Sequence, residues 1–251
     1  MQKKMIVEVC VYSIESAIAA QEGGADRIEL CDNIYDGGTT PSVGTMEIAR
    51  KHLSIDFYAI IRPRGGDFLY TDAEFEVMKK DVLSAKRLGL DGVVFGILTK
   101  DGKIDKERCR ELVDLAGPLG KTFHRAFDLT QDPKKALEDI IDLGMDRILT
   151  SGQKALAIDG ACLIKELNEV AANRIKIMAG SGVSSENIEE LSAQTGVNEF
   201  HMSARSPRRS NMEYQRRGIP IGHPSLDEYV IEMADPEKVL SAKRMTEALI
   251  R

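Results

Sequence analysis

Two β-rich runs carry the same pair of side chains: Glu8 and Cys10 in Val7-Glu8-Val9-Cys10, and Glu29 and Cys31 in Ile28-Glu29-Leu30-Cys31. Residues two apart on a strand point the same way, so each Glu shares a face with its Cys. More polar groups stand where other such runs end: Arg62-Pro63-Arg64-Gly65-Gly66-Asp67, His124-Arg125 with Asp128 beyond, Thr150-Ser151-Gly152, Gly180-Ser181-Gly182, and His201 with Ser203. Three chemistries suit these residue types. Glu8, Glu29 and His124 could supply an acid and a base, because burial and like charges drive pKa values apart. Arg62 and Arg64, with Gly180, Ser181 and Gly182 ahead of a helix start at Ser184-Ser185-Glu186, could hold an anion. Glycines let backbone N–H groups approach a ligand, and a helix N-terminus favours negative charge. Cys10 and Cys31 could bind a soft ion such as Cu(I), which prefers thiolates.

Each chemistry has a plainer counterpart. Glu8 and Glu29 could be paired with Arg62 or Arg125 only to offset the cost of buried charge. The glycines could make a tight turn and nothing more, and His124 could be a hydrogen-bonded core residue. On spacing alone, Cys10 and Cys31 read as two small buried apolar residues before they read as ligands.

The elements that must position these groups are marked by a signature that occurs four times: Gly24-Ala25-Asp26, Gly89-Leu90-Asp91, Gly144-Met145-Asp146 and Gly196-Val197-Asn198, each followed by one residue and then a strand. A Gly at that point stops the preceding helix, because the residue after the last turn often takes a left-handed backbone. The copies lie about 65, 55 and 52 residues apart, roughly two βα units each, which gives about eight units in all. The expected strands are 5–11, 27–31, 57–62, 92–98, 121–126, 147–150, 174–179 and 199–203. A capping box, Thr71 with Glu74, opens a helix over 72–88 whose apolar residues recur at helical spacing. Thr40-Pro41 predicts another helix with Pro at its first position, and Asp132-Pro133 a third.

The fold predicted is α/β: a TIM-type (β/α)8 barrel, one domain over 1–251, with a long loop at 204–234 and a closing helix at 235–249. That loop suggests a functional or subunit-contacting segment, so a homo-oligomer is left open. In such barrels chemistry sits at the C-terminal strand ends, with phosphate often held after strands seven and eight, where Gly180, Ser181 and Gly182 fall.

Composition narrows the class. The chain has 251 residues and a net charge of −6, with no basic stripe of the kind nucleic acid needs; the run Arg205 to Arg209 reads as a solvated loop or a local anion contact. No apolar run approaches a membrane span and no cleavable leader is evident, so a cytoplasmic protein with reduced thiols is expected. Cys10, Cys31, Cys109 and Cys162 lack the close spacings of zinc knuckles or thioredoxin motifs.

The motifs together resemble the CutC copper-homeostasis family over nearly the whole chain. The resemblance rests on Val7-Glu8-Val9-Cys10, Asp26-Arg27-Ile28-Glu29-Leu30-Cys31, Gly37-Gly38-Thr39-Thr40-Pro41-Ser42, Ile61-Arg62-Pro63-Arg64-Gly65-Gly66-Asp67-Phe68, Thr122-Phe123-His124-Arg125-Ala126-Phe127-Asp128, Leu149-Thr150-Ser151-Gly152 and His201-Met202-Ser203-Ala204-Arg205. It implies a TIM-type barrel, cytoplasmic copper handling, and Cu(I) bound by the cysteines matching Cys10 and Cys31. Ser181 stands where relatives tend to have Gly or Ala. A rival expectation is an enzyme acting on a small anionic or phosphorylated metabolite. Arg62, Arg64 and the Gly180 loop would then hold the anion, and Glu8, Glu29 and His124 would move protons.

Overall fold

Apolar residues alternate with polar ones over 7–11, 27–30 and 199–202, and the structure shows why. The structure, a computed structural model, describes residues 4–216, 218–219, 221 and 226–250. Eight parallel strands form a closed barrel: β1 Ile6–Val11, β2 Arg27–Leu30, β3 Asp56–Ile60, β4 Gly92–Phe95, β5 Gly120–Phe123, β6 Arg147–Thr150, β7 Lys176–Gly180 and β8 Glu199–Met202. β1 pairs with both β2 and β8, setting Glu8 opposite Arg27 on one side and His201 on the other. The outward set, including Val7, Val9, Ile28, Phe57, Val93, Phe95, Phe123, Ile148 and Phe200, packs into one continuous core under the helices. Those helices are α1 Ile14–Glu22, α2 Val43–His52, α3 Asp72–Arg87, α4 Lys106–Ala116, α5 Pro133–Asp142, α6 Ala161–Ala171, α7 Ile188–Thr195 and α8 Pro236–Ala248. The alternate, inward residues are left to fill the barrel, and many are charged. Among the described residues no helix is long and apolar enough to cross a membrane.

The four signatures sit just before the even-numbered strands, and their glycines all have positive φ, from +69° to +86°. The Asp after each has a second task. Asp26 accepts a hydrogen bond from Val7 N–H at 2.9 Å, Asp91 from Phe57 N–H at 2.9 Å and Asp146 from Lys121 N–H at 2.7 Å. Each carboxylate thereby ties the start of one strand to the loop leading into the next. Asn198 closes the ring differently: its amide donates to the Lys4 carbonyl at 2.6 Å.

Several boundaries differ from those the sequence predicts. α2 starts at Val43, with Ser42 as its cap accepting from Thr45 N–H, so Pro41 lies before the helix rather than at its first position. Residues 185–187 form a turn, and α7 begins only at Ile188. β3, β4 and β5 end early, leaving Arg62, Gly96 and His124 beyond the sheet. The α3 capping box forms as read. The segment 204–234 contains an antiparallel ribbon, β9 Arg205–Arg209 with β10 Val230–Ala234. Its first strand, Arg-Ser-Pro-Arg-Arg, has none of the β-branched alternation that would announce a strand.

Candidate functional site

The base of the barrel is filled by charge. Glu8 is fully buried and bonded to Arg27 Nε. Arg27 also donates to Glu199 Oε2 at 2.9 Å, and Arg147 donates to the same oxygen at 2.8 Å. Two carboxylates thus meet two guanidiniums, and the group is neutral as a whole. Tyr58 lies among them, its ring 5.1 Å from the Arg27 guanidinium carbon and 5.5 Å from that of Arg147. Room for that ring comes from two glycines. A Cβ on Gly92 would lie 2.3 Å from the ring and one on Gly120 only 1.9 Å from the phenolic oxygen.

Above this floor stands His201. Its Nδ1 is 2.7 Å from Glu8 Oε1, and its Nε2 is 3.7 Å from Glu29 Oε2. Burial opposes a charge on His201, but the Cys10, Glu8 and Glu29 groups beside it outweigh burial and raise its pKa well above the ordinary value. Burial likewise opposes charge on Glu8, yet Arg27 and His201 hold it well below the usual carboxylate range. Glu29 goes the other way. Burial first, then the neighbouring Cys10, push it well above that range and favour its neutral form, and its Oε1 has no hydrogen-bond partner.

The two sulfurs come next. Cys10 Sγ and Cys31 Sγ lie 3.6 Å apart, both buried, with Ile60 and Tyr12 packed against them. The hydrogen bond from Cys31 depresses the Cys10 pKa most strongly, while burial raises that of Cys31. Of the two sulfurs, Cys10 is the one whose charged form the surroundings favour. Disulfide sulfurs are about 2.05 Å apart, and two thiolates on one ion at the ~2.3 Å typical of metal–sulfur bonds lie no more than about 4.6 Å apart. The observed separation suits an ion between two free thiols. Ligand atoms of Cys10, Glu29 and Cys31 lie within 4.8 Å of one another, as do those of Glu8, Glu29 and His201, so Glu29 joins the sulfur end to the carboxylate–histidine end.

A cavity of about 300 Å³ opens beside Cys10, lined also by Glu29, His201, Arg62, Phe68, His124, Arg125, Ser181 and Gly182 among others. Arg62 does not pair with Glu8 or Glu29. Its guanidinium donates to the carbonyls of Asp36, Gly38 and Gly66 at 2.7, 2.8 and 2.7 Å, clamping the loops after β2 and β3 together. Arg64 turns away from the cavity and pairs with Glu74 and Asp67 over the Tyr70 ring. Arg125 is bound to Asp128 and Ser151 rather than to Glu8 or Glu29. His124 caps the short 3₁₀ turn Arg125–Leu129, its Nδ1 accepting from Ala126 N–H. Burial, then the Arg62 charge, lowers its pKa to about 3, so it is neutral. Ser181 has positive φ, +85°, and its hydroxyl donates to the Ala155 carbonyl at 2.7 Å.

Of the residues singled out from sequence, Glu8, Glu29, Cys10 and Cys31 form one cluster, Arg62, His124, Ser181 and Gly182 line the same cavity farther out, and Arg64 is elsewhere. Gly180 ends β7, where a Cβ would strike Leu149 at 2.4 Å, so its role is close packing. Sequence spacing alone assigns no role to His201, Arg27 or Arg147. The signal that finds His201 is closure: a barrel must bring its eighth strand beside its first, and that sets His201 against Glu8. Cys109 is buried in α4 and Cys162 exposed on α6, away from the pair.

Comparison with known proteins follows the same lines. Residues 5–206 match the CutC family model. The chain is 52% identical over 234 residues to a Chromobacterium violaceum family protein CutC, covering 93% of this chain and 95% of that one. It is 48% identical over 235 residues to the human copper homeostasis protein cutC homolog, covering 93% and 86%. The crystal structure of CutC from Streptococcus agalactiae superposes with a TM-score of 0.76 at 38% identity, over 79% of this chain and 98% of that one.

Proposed function

The chain belongs to the CutC family, and from that premise we propose that it is a cytoplasmic copper-homeostasis protein that binds Cu(I) through Cys10 and Cys31. The observation that carries this reading is the pair of free, buried sulfurs 3.6 Å apart, one of which, Cys10, lines an open cavity. Soft thiolates select Cu(I) over the hard divalent ions of the cell, and a reducing compartment keeps them as thiols. The surroundings serve the pair. Glu8 fixes the His201 ring, and a fixed ring keeps its Nε2 edge turned to Glu29 and the sulfurs. Cys31 must give up its proton when the ion binds, and burial opposes that charge until the ion supplies its own.

Stoichiometric Cu(I) binding, measured anaerobically against a competing chelator, tests the reading. Wild type should take one ion per chain. Cys10→Ser and Cys31→Ser should each lose most of it, because a hydroxyl is a hard, protonated ligand at neutral pH. Cys109→Ser and Cys162→Ser should bind as wild type. Unchanged binding by the double variant Cys10→Ser/Cys31→Ser would refute the assignment.

A further inference from the structure

The loops that follow β7 and β8 hold donors that the protein itself does not use. The strand ladders end at Gly180 and Met202. Beyond them the backbone N–H groups of Gly182, Val183, Ser203 and Ala204 donate to no atom of the described residues. A backbone N–H is an obligatory donor, normally met by protein, water or a ligand. The chain that presents these four is also held against its own preference. Ser181 has φ +85° and Ala204 φ +47°, in the left-handed region that residues with a Cβ seldom take.

Positive charge stands beside the donors. Arg205 is exposed, and among the described residues no carboxylate pairs with its guanidinium. Lys238 reaches over from α8 and donates to the Arg205 carbonyl at 2.5 Å. Both border a hollow of about 310 Å³ with Val183, Ser203, Ala204 and one acid, Glu186. That hollow and the cavity beside Cys10 share Val183, Met202, Ser203 and Arg205, so the two meet along the β7 and β8 loops. The cavity brings a second guanidinium without a carboxylate, Arg62, whereas its Arg125 is already matched by Asp128. The chain carries a net charge of −6, yet two arginines with no acidic partner line this one mouth.

We propose that the mouth binds a small phosphate monoester. Its phosphoryl oxygens sit on the N–H groups of Gly182, Val183, Ser203 and Ala204 beside Arg205, and its organic part lies in the cavity toward Phe68 and Arg62. A monoester dianion presents three terminal oxygens and two charges, which N–H donors from two neighbouring loops and a guanidinium meet together. A carboxylate has two oxygens and one charge, too few for this set. The cavity, about 300 Å³, lies at the lower end of small-molecule pockets, so the organic part is a few carbons long. Of the anion set read from sequence, Arg64 and Gly180 drop out, and Ser203, Ala204 and Arg205 on the next loop take their place.

The test is calorimetric titration and thermal denaturation of the copper-free protein in a phosphate-free buffer, which makes the outcome independent of the thiol assignment. Glycerol 3-phosphate is the probe; inorganic phosphate, glycerol and acetate are the comparisons. At about 10 mM the ester should raise the melting temperature, because a ligand that binds only the folded state stabilises it by mass action. It should bind roughly tenfold or more tightly than glycerol or acetate, and more tightly than inorganic phosphate, which leaves the cavity unfilled. Arg205→Gln should weaken the ester about tenfold or more. Arg209→Gln, equally exposed on β9 but lining neither hollow, should bind as wild type. In ¹⁵N-labelled protein the ester should shift the amide signals of Gly182, Val183, Ser203 and Ala204 most. The proposal is overturned if the ester does not stabilise the wild type, if any comparison compound binds as tightly, if Arg205→Gln binds unchanged, if Arg209→Gln loses as much, or if the amide signals of the two loops stay still.

Discussion

Acidification from pH 7 to pH 5 should destabilise the protein by about 2 kcal/mol through a single side chain, His124. In the folded protein its pKa is lowered to about 3, by burial first and by the Arg62 charge second, against an ordinary value of 6.5. The folded state therefore leaves this imidazole neutral at pH 5, while the unfolded chain binds a proton there. Where the unfolded state holds more protons, stability rises with pH and falls on acidification. The contribution is fully present above about pH 6.5, is lost steadily below it, and stops changing near pH 3. Each pH unit within that window costs about 1.4 kcal/mol, which gives about 2 kcal/mol at pH 5 and about 3 at pH 4. The pH 5 figure hardly depends on whether the folded pKa is 3 or 4, because both lie well below the measurement.

The assay is urea unfolding of wild type and His124→Asn at several pH values between 7 and 5, in a phosphate-free buffer. Asn cannot titrate, yet its carbonyl oxygen can accept the Ala126 N–H bond that His124 Nδ1 now accepts. Other groups titrate alike in both proteins, so only the difference matters. Wild type should lose about 2 kcal/mol more than the variant between pH 7 and pH 5, or roughly 4–8 °C more in melting temperature. Parallel pH profiles would refute the burial argument, and with it the neutral, Nε2-protonated ring.

Three further outcomes are expected. Arg147→Met should cost about 3 kcal/mol or more in chemical denaturation, because Glu199 loses one of two buried partners; Arg174→Met, on the half-exposed pair with Glu138, should cost at most about 1 kcal/mol. Gly120→Ala should destabilise by about 1–3 kcal/mol or more, since the new methyl would lie 1.9 Å from the Tyr58 hydroxyl oxygen, and thermal unfolding would show it. Gly38→Ala sits at φ +93° with its Cβ 3.2 Å from Cys31 Sγ. It should cost about 1 kcal/mol or more and also weaken Cu(I) retention in the chelator assay.

The barrel was legible because the Gly-x-Asp signature encodes two physical necessities at once. Gly24, Gly89, Gly144 and Gly196 all take the left-handed backbone that ends a helix, and Asp26, Asp91 and Asp146 each bridge to the preceding strand. The Glu–x–Cys pairs were legible as same-facing groups because strand periodicity is exact at two. Partnership across the barrel was not. Which arginine meets Glu8 depends on strand stagger, and Arg27 occupied the position of the signature that sequence reading left open. Arg62 and Arg64 are expected to hold one anion together, yet only Arg62 lines the cavity. β3 ends at Ile60, and past Pro63 the chain turns Arg64 toward Glu74. His124 was expected on a strand and instead caps a turn, which is what points its Nδ1 at the backbone and leaves Nε2 unspent.

The plug of Arg27, Arg147, Glu8, Glu199 and Tyr58 leaves the vessel with one portal. Traffic through the barrel is ruled out, and whatever reaches the sulfurs must leave by the way it came. On the proposed function, an ion bound at Cys10 and Cys31 exchanges only through that mouth, so whatever fills the mouth sets how fast the ion leaves.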